Sequence, residues 1–178
     1  MTQGRRVMRR WSTVLYGSVF VFLALPFATL YSACSHDRID TINGYQTLAP
    51  HNYAYKAANG TDHVAAVGTD GFGWIAVALI AIGIVLSLIG VRSVWLSVTS
   101  ALGVVALFLM VTAAGGSAAS SKAEIGFWLS SIAMALAPAA DERPWRRALI
   151  VAAATVLAAA ALVGLLILLI YLTAQRGH

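Results

Sequence analysis

Four stretches of the chain carry no Asp, Glu, Lys, Arg or His: 11–35, 72–91, 94–114 and 148–174. A helix needs about 20 apolar residues to cross a hydrocarbon layer about 30 Å thick, so each stretch predicts a transmembrane helix. The last is longer than a crossing requires, which predicts tilt or a protruding end. A fifth apolar stretch, 125–140 ("IGFWLSSIAMALAPAA"), is shorter and ends near Pro138.

Charge placement decides how to read the fifth stretch. If it crosses, and the amino terminus is cytoplasmic, the cytoplasmic cations are Arg5, Arg6, Arg9, Arg10, Arg92, Arg143, Arg146 and Arg147. Arg38, Lys56, Lys122 and Arg176 stay outside, a split of eight to four. If it does not cross, the split is six to six, and the positive-inside rule favours the first arrangement. The tryptophans agree. Trp11, Trp95 and Trp145 fall at the inner boundary, and Trp74 and Trp128 at the outer one, where an indole buries its ring and keeps its N–H wet.

The pattern predicts an all-α integral membrane protein, a five-span transmembrane helical bundle in a single membrane domain, 1–178. The spans are expected at about 11–34, 72–91, 94–114, 124–140 and 147–174, with the carboxyl terminus outside. Composition supports a lipid solvent, because 60% of residues are hydrophobic and only 11% charged. The formal charge of +5 does not imply nucleic acid, since the arginines sit beside apolar runs and form no solvated face.

The one long connection, 35–71, is placed outside by this threading. Within it "RIDTINGYQTL" predicts a β-hairpin about Asn43-Gly44, pairing Ile42 with Tyr45 and Ile39 with Leu48 through a type I′ turn. "HVAAV", 63–67, is a candidate third strand, and the loop is expected to rest on the outer end of the bundle. The sole cysteine, Cys34, has three readings. "YSAC" after a basic, apolar leader resembles a lipid-attachment site, although Tyr31 stands where an aliphatic residue is usual. Cys34 and His36, with His51 and His63, have donor types suited to a metal at intervals matching no established site, so no metal or cofactor is assigned. The reading kept is a thiol packed as a small hydrophobe where the first helix meets the loop. Asn59-Gly60-Thr61 matches a glycosylation sequon.

Lipid gives apolar helices little reason to associate, so small residues that let backbones approach mark the expected contacts. These are Gly83 with Ser87, Thr99 with Gly103, Gly126 with Ser130 and Met134, and Ala160 with Gly164. Ser131, Ala135 and Ala139 lie beside the third set. Pro26 is expected to kink the first span. "DERPWRR", 141–147, is expected to be a compact turn in which acids and arginines pair.

No ionisable side chain lies deep in any predicted span, which argues against an ion-coupled pump. No set of nucleophile, base and acid, metal-protease motif or phosphate loop is present, so no enzymatic activity and no catalytic residue is inferred. The leading expectation is a structural, accessory or interaction component of the cell envelope. Its partners would be the lipid bilayer and other membrane-protein helices or further copies of itself. The rival is a small transporter or lipid-handling protein with a polar path of Ser12, Thr13, Ser18, Ser87, Ser97, Thr99, Ser100, Ser130 and Ser131.

The segments "LPFATLYSAC", "INGYQ" and "GFWLS" resemble those of a group of uncharacterised small multi-span membrane proteins of high-GC bacteria. In that group an LPF-then-Cys exit from the first span leads to an outer loop with a Gly-aromatic turn. The resemblance implies a bacterial cytoplasmic (inner) membrane and implies no activity. The carboxyl-terminal span is a departure from the group.

Overall fold

A computed structural model of the chain describes residues 11–32, 38–49, 51–56, 62–67, 71–114 and 119–176. Among these, the helices are α1 (Trp11–Phe22), α2 (Phe72–Ile89), α3 (Ser93–Ala114), α4 (Ile125–Leu136) and α5 (Trp145–Arg176). The strands are β1 (Pro26–Ser32), β2 (Arg38–Asn43), β3 (His51–Lys56), β4 (Asp62–Val67) and β5 (Ala119–Ala123). Short 3-10 turns follow at Gln46–Leu48 and Ala137–Ala139. The five helices agree with the expectation of a mostly helical chain, but the all-α reading is corrected by a three-stranded sheet, and three helices, α2, α3 and α5, are long and apolar enough to cross a membrane.

The first stretch is corrected. Its helix stops at Phe22, 12 residues long or about 18 Å, and Pro26 opens a strand instead of kinking a longer helix. Proline lacks the amide hydrogen a helix needs, and it disfavours helical backbone at the residue before it. The run that follows, Phe27, Thr29 and Tyr31 alternating with Ala28 and Leu30, suits a strand. β1 is the central strand of a sheet ordered β2-β1-β5, antiparallel to both neighbours. Both rows of its backbone groups are therefore paired, and Phe27, Ala28 and Leu30 are fully buried.

The hairpin about Asn43-Gly44 is also corrected. β2 pairs with β1, Thr41 opposite Thr29, and the chain after Gly44 winds into the Gln46–Leu48 turn. The Gly44 N–H donates to the Leu23 carbonyl at 2.7 Å, and a Cβ at Gly44 would meet Leu23 Cδ2 at 2.6 Å. That close approach ties the loop to the end of α1. Ile42 and Thr47 are thereby buried in the bundle. The candidate strand at 63–67 is present as part of β4, and its partner is β3.

The fifth apolar stretch is helical but short, apolar over Ile125–Ala139. It runs antiparallel to α1, as the contacts at its two ends require: Gly126 lies against the carbonyls of Phe22, Leu25 and Pro26, and Asp141 meets Trp11 and Ser12. Ser87 near the end of α2 meets Ser12 near the start of α1, so that pair is antiparallel too. α3 and α5 run in the same direction, with Ser97 beside Thr155 and Leu102 and Leu162 lining one groove further along. The starts of α1, α3 and α5 and the ends of α2 and α4 thus share one end of the bundle, and the β2-β1-β5 sheet continues from the other.

A single core joins α1–α4 with the β2-β1-β5 sheet, from Tyr16, Val19 and Leu23 through Ile80, Leu107 and Met110 to Phe127 and Met134, and on to Phe27 and Ile42. The rings of Phe27 and Phe127 meet edge to face at 5.9 Å, locking β1 to the start of α4. α3 is central, with 50% of its apolar stretch buried, against 28% for α2 and 11% for α5. All five tryptophans are exposed.

Candidate functional site

Polar groups concentrate at the shared end of the bundle. α1 begins with amide hydrogens that have no partner within the helix, and its Trp11 carries no capping side chain. Asp141, just past α4, supplies the acceptors: Trp11 N–H donates to Oδ1 at 2.8 Å and Ser12 N–H to Oδ2 at 3.3 Å. The Ser12 hydroxyl also donates to Asp141 and is paired with the Ser87 hydroxyl, which in turn meets Thr13 Oγ1 at 2.7 Å. The carboxylate further complements the positive end of the α1 dipole. The expected pairing within the 141–147 turn is therefore corrected for Asp141, which is engaged by α1.

One turn deeper, Tyr16 reaches α3. Its hydroxyl lies 2.7 Å from Ser100 Oγ and 3.1 Å from the Leu96 carbonyl. At the sheet end a second set crosses two strands and reaches the start of α4. Arg38 donates to Thr41 at 2.6 Å, Thr41 and Thr29 hydroxyls lie 3.1 Å apart, and Thr29 donates to Glu124 Oε1 at 2.7 Å. This set ties β2, β1 and the start of α4 together.

The nine hydroxyls expected to line a path mostly pair inside the bundle. Ser18 and Thr99 donate to carbonyls of their own helices, Ser97 accepts from Thr155, and Ser100 meets Tyr16. Ser130 and Ser131 hydroxyls are buried without a hydrogen-bond partner. Of the nine, Ser97 alone lines either groove found between α3 and α5.

Those grooves are continuous. An apolar channel of about 560 Å³ runs between the two parallel helices, and at the shared end it opens into a mouth of about 390 Å³ bordered by Arg92, Glu142 and Arg147. Sequence reasoning missed it, because Arg92 and Arg147 lie 55 positions apart and only the parallel packing of α3 and α5 joins them. The signal available was the run of small residues, Ala101 against Ala154 and Ala158.

The small-residue faces are filled on three helices. A Cβ at Gly83 would strike the Tyr16 ring, one at Gly103 the Met134 side chain, and one at Gly126 backbone carbonyls. The fourth expectation is corrected: Ala160 and Gly164 are exposed, and the buried positions of α5 are Thr155 and Ala159.

Cys34 and His36 lie outside the described residues, as does the Asn59-Gly60-Thr61 sequon. His51 on β3 stands opposite Val67, and His63 on β4 opposite Tyr55. Four ladder positions separate them, about 13 Å, so the register does not bring the two histidines together. Among the described residues, no three His, Cys, Asp or Glu are grouped closely enough to hold a metal ion. Compared with protein-family models, curated proteins and solved structures, the chain matches none.

Proposed function

We propose that this chain is a non-catalytic structural or accessory component of a bacterial cytoplasmic membrane, threaded five times with the amino terminus inside and the carboxyl terminus outside. Its helix α5 is the element that meets a partner helix. The alternating direction of the helices supports this threading, and so does the gathering of Arg92, Arg143, Arg146 and Arg147 at the end where α1 begins.

One contrast carries the reading. The small residues Gly83, Gly103 and Gly126 are each covered by a neighbour, whereas Gly164 has nothing within 4 Å. Ala160 and Gly164, four apart, form a smooth strip on a stretch of α5 where no residue from 160 to 173 is buried. In lipid such a strip favours close approach of another helix, because packing and not hydrophobicity drives association there. The rival reading, a small transporter or lipid-handling protein, draws support from the α3–α5 groove alone, since seven of the nine path hydroxyls are engaged within the bundle and the other two, Ser130 and Ser131, line neither groove.

Extraction in mild detergent from the native membrane, followed by mass spectrometry of co-purifying proteins, tests this. The wild-type chain is expected to carry a companion, or a second copy, that Gly164→Leu sheds while the bundle stays folded. A chain that is solitary and monodisperse, or a Gly164→Leu variant with unchanged company, overturns it.

A further inference from the structure

The channel between α3 and α5 has two chemically distinct parts. Its floor is made by Ala101, Leu102, Ala154, Ala158 and Leu162, and the Ser97 hydroxyl there is already engaged by Thr155. Its mouth carries two guanidiniums, Arg92 and Arg147, against one carboxylate, Glu142. Val94, Ile150 and Val151 line both parts, so they form one continuous depression. Among the described residues neither guanidinium has a hydrogen-bond or ion-pair partner.

We propose that this depression binds one anionic phospholipid, an acyl chain in the channel and the headgroup phosphate on Arg92 and Arg147. Size and shape agree. The channel volume is within the usual range of ligand cavities, roughly 300–1,000 Å³. From Ile150 to Leu162 it follows α5 for about 18 Å, close to one leaflet of a hydrocarbon layer about 30 Å thick. It is open along its side, which is the direction from which a lipid arrives. Charge selects the occupant. An apolar partner helix seated in the mouth would strip water from two arginines and return no acceptor, whereas a phosphate supplies both the opposite charge and the acceptors their planar forks need. The proposal requires only that α3 and α5 lie in a bilayer. It does not depend on α5 meeting a partner.

Native mass spectrometry of the purified full chain, offered equal amounts of phosphatidylglycerol and phosphatidylcholine, tests this. One phosphatidylglycerol is expected to be retained about tenfold over phosphatidylcholine, the ratio that a charge-assisted pair supports. Arg92→Gln and Arg147→Gln are each expected to remove that preference, and Ala158→Phe, which fills the channel, to weaken retention of both lipids. Arg146→Gln, beside the mouth but not lining it, is expected to leave retention unchanged. Equal retention of the two lipids, full retention by Arg92→Gln and Arg147→Gln, or an equal loss in Arg146→Gln overturns the proposal. So does efficient cross-linking of two copies through a cysteine placed at Ala158, which would assign the groove to a protein helix. Companion loss in Gly164→Leu moves independently of every one of these readouts.

Discussion

Tyr16 lies against Gly83 so closely that a Cβ built on the glycine would sit 2.5 Å from the ring's Cε1. The ring has little room to yield, because its hydroxyl is held by Ser100 and the Leu96 carbonyl on α3. α1, α2 and α3 therefore meet at one point. Gly83→Ala is expected to cost about 1–3 kcal/mol by overpacking, read as a lowered midpoint in thermal unfolding of the detergent-solubilised protein. In a Tyr16→Ala background the same substitution should cost far less, since the atom it strikes is gone. Additive losses in the double variant would show that the two residues are not coupled.

Asp141, in the turn between α4 and α5, caps α1 from 130 residues away. Asp141→Ala strands two amide hydrogens and leaves the Ser12 hydroxyl with Ser87 alone, and is expected to cost about 1–2 kcal/mol. Ser12→Ala, which spares the amide contacts, should cost less. Amide hydrogen exchange at Trp11 and Ser12 checks the origin of the loss. Both amides should exchange faster in Asp141→Ala, while those in the middle of α3 should not.

The three charge-free stretches that became α2, α3 and α5 were legible because a run of apolar residues between charges is all that a membrane helix requires. The stretch from Trp11 fails that logic at Pro26. Hydropathy sums apolarity over a window and does not register what pairs with the backbone. Here the partners are β2, a few residues on, and β5, whose Lys122 stands opposite Thr29. The local signs of a strand, Pro26 and the alternation of Phe27, Thr29 and Tyr31, were present and were outweighed by length. Asn43-Gly44 did mark a reversal, but tertiary contact overrode the hairpin: the amide of Gly44 is taken by Leu23. The polar seam was partly legible. Ser12, Ser87 and Ser100 belong to one expected polar set, but the carboxylate that organises its outer end belongs to a turn whose acids were expected to pair with its own arginines.

The threading makes a direct prediction about sidedness. In a Cys34→Ser background, a cysteine at Glu142 and one at Ala66 should react with a membrane-impermeant maleimide from opposite faces. Glu142 should be labelled only in inverted vesicles and Ala66 in intact cells. Labelling of both from the same face would mean that α4 does not carry the chain back across, and the inside placement of Arg143, Arg146 and Arg147 would fall with it.

Two glycines separate packing from propensity. Gly126 opens α4 where α1 ends, and a Cβ there would lie 2.8 Å from the carbonyl oxygens of both Phe22 and Pro26. Those atoms are backbone, and β1 is held in register on both sides, so the neighbours cannot rotate away as a side chain would. Gly126→Ala is expected to cost about 1–3 kcal/mol. Gly164 sits in mid-helix with open space around it, so Gly164→Ala should leave stability unchanged or raise it by up to about 1 kcal/mol through helix propensity. The two substitutions add the same methyl group to helical glycines, so their thermal midpoints compare directly. A loss in Gly164→Ala equal to that in Gly126→Ala would mean that α5 packs against the bundle further along its length than its exposure indicates.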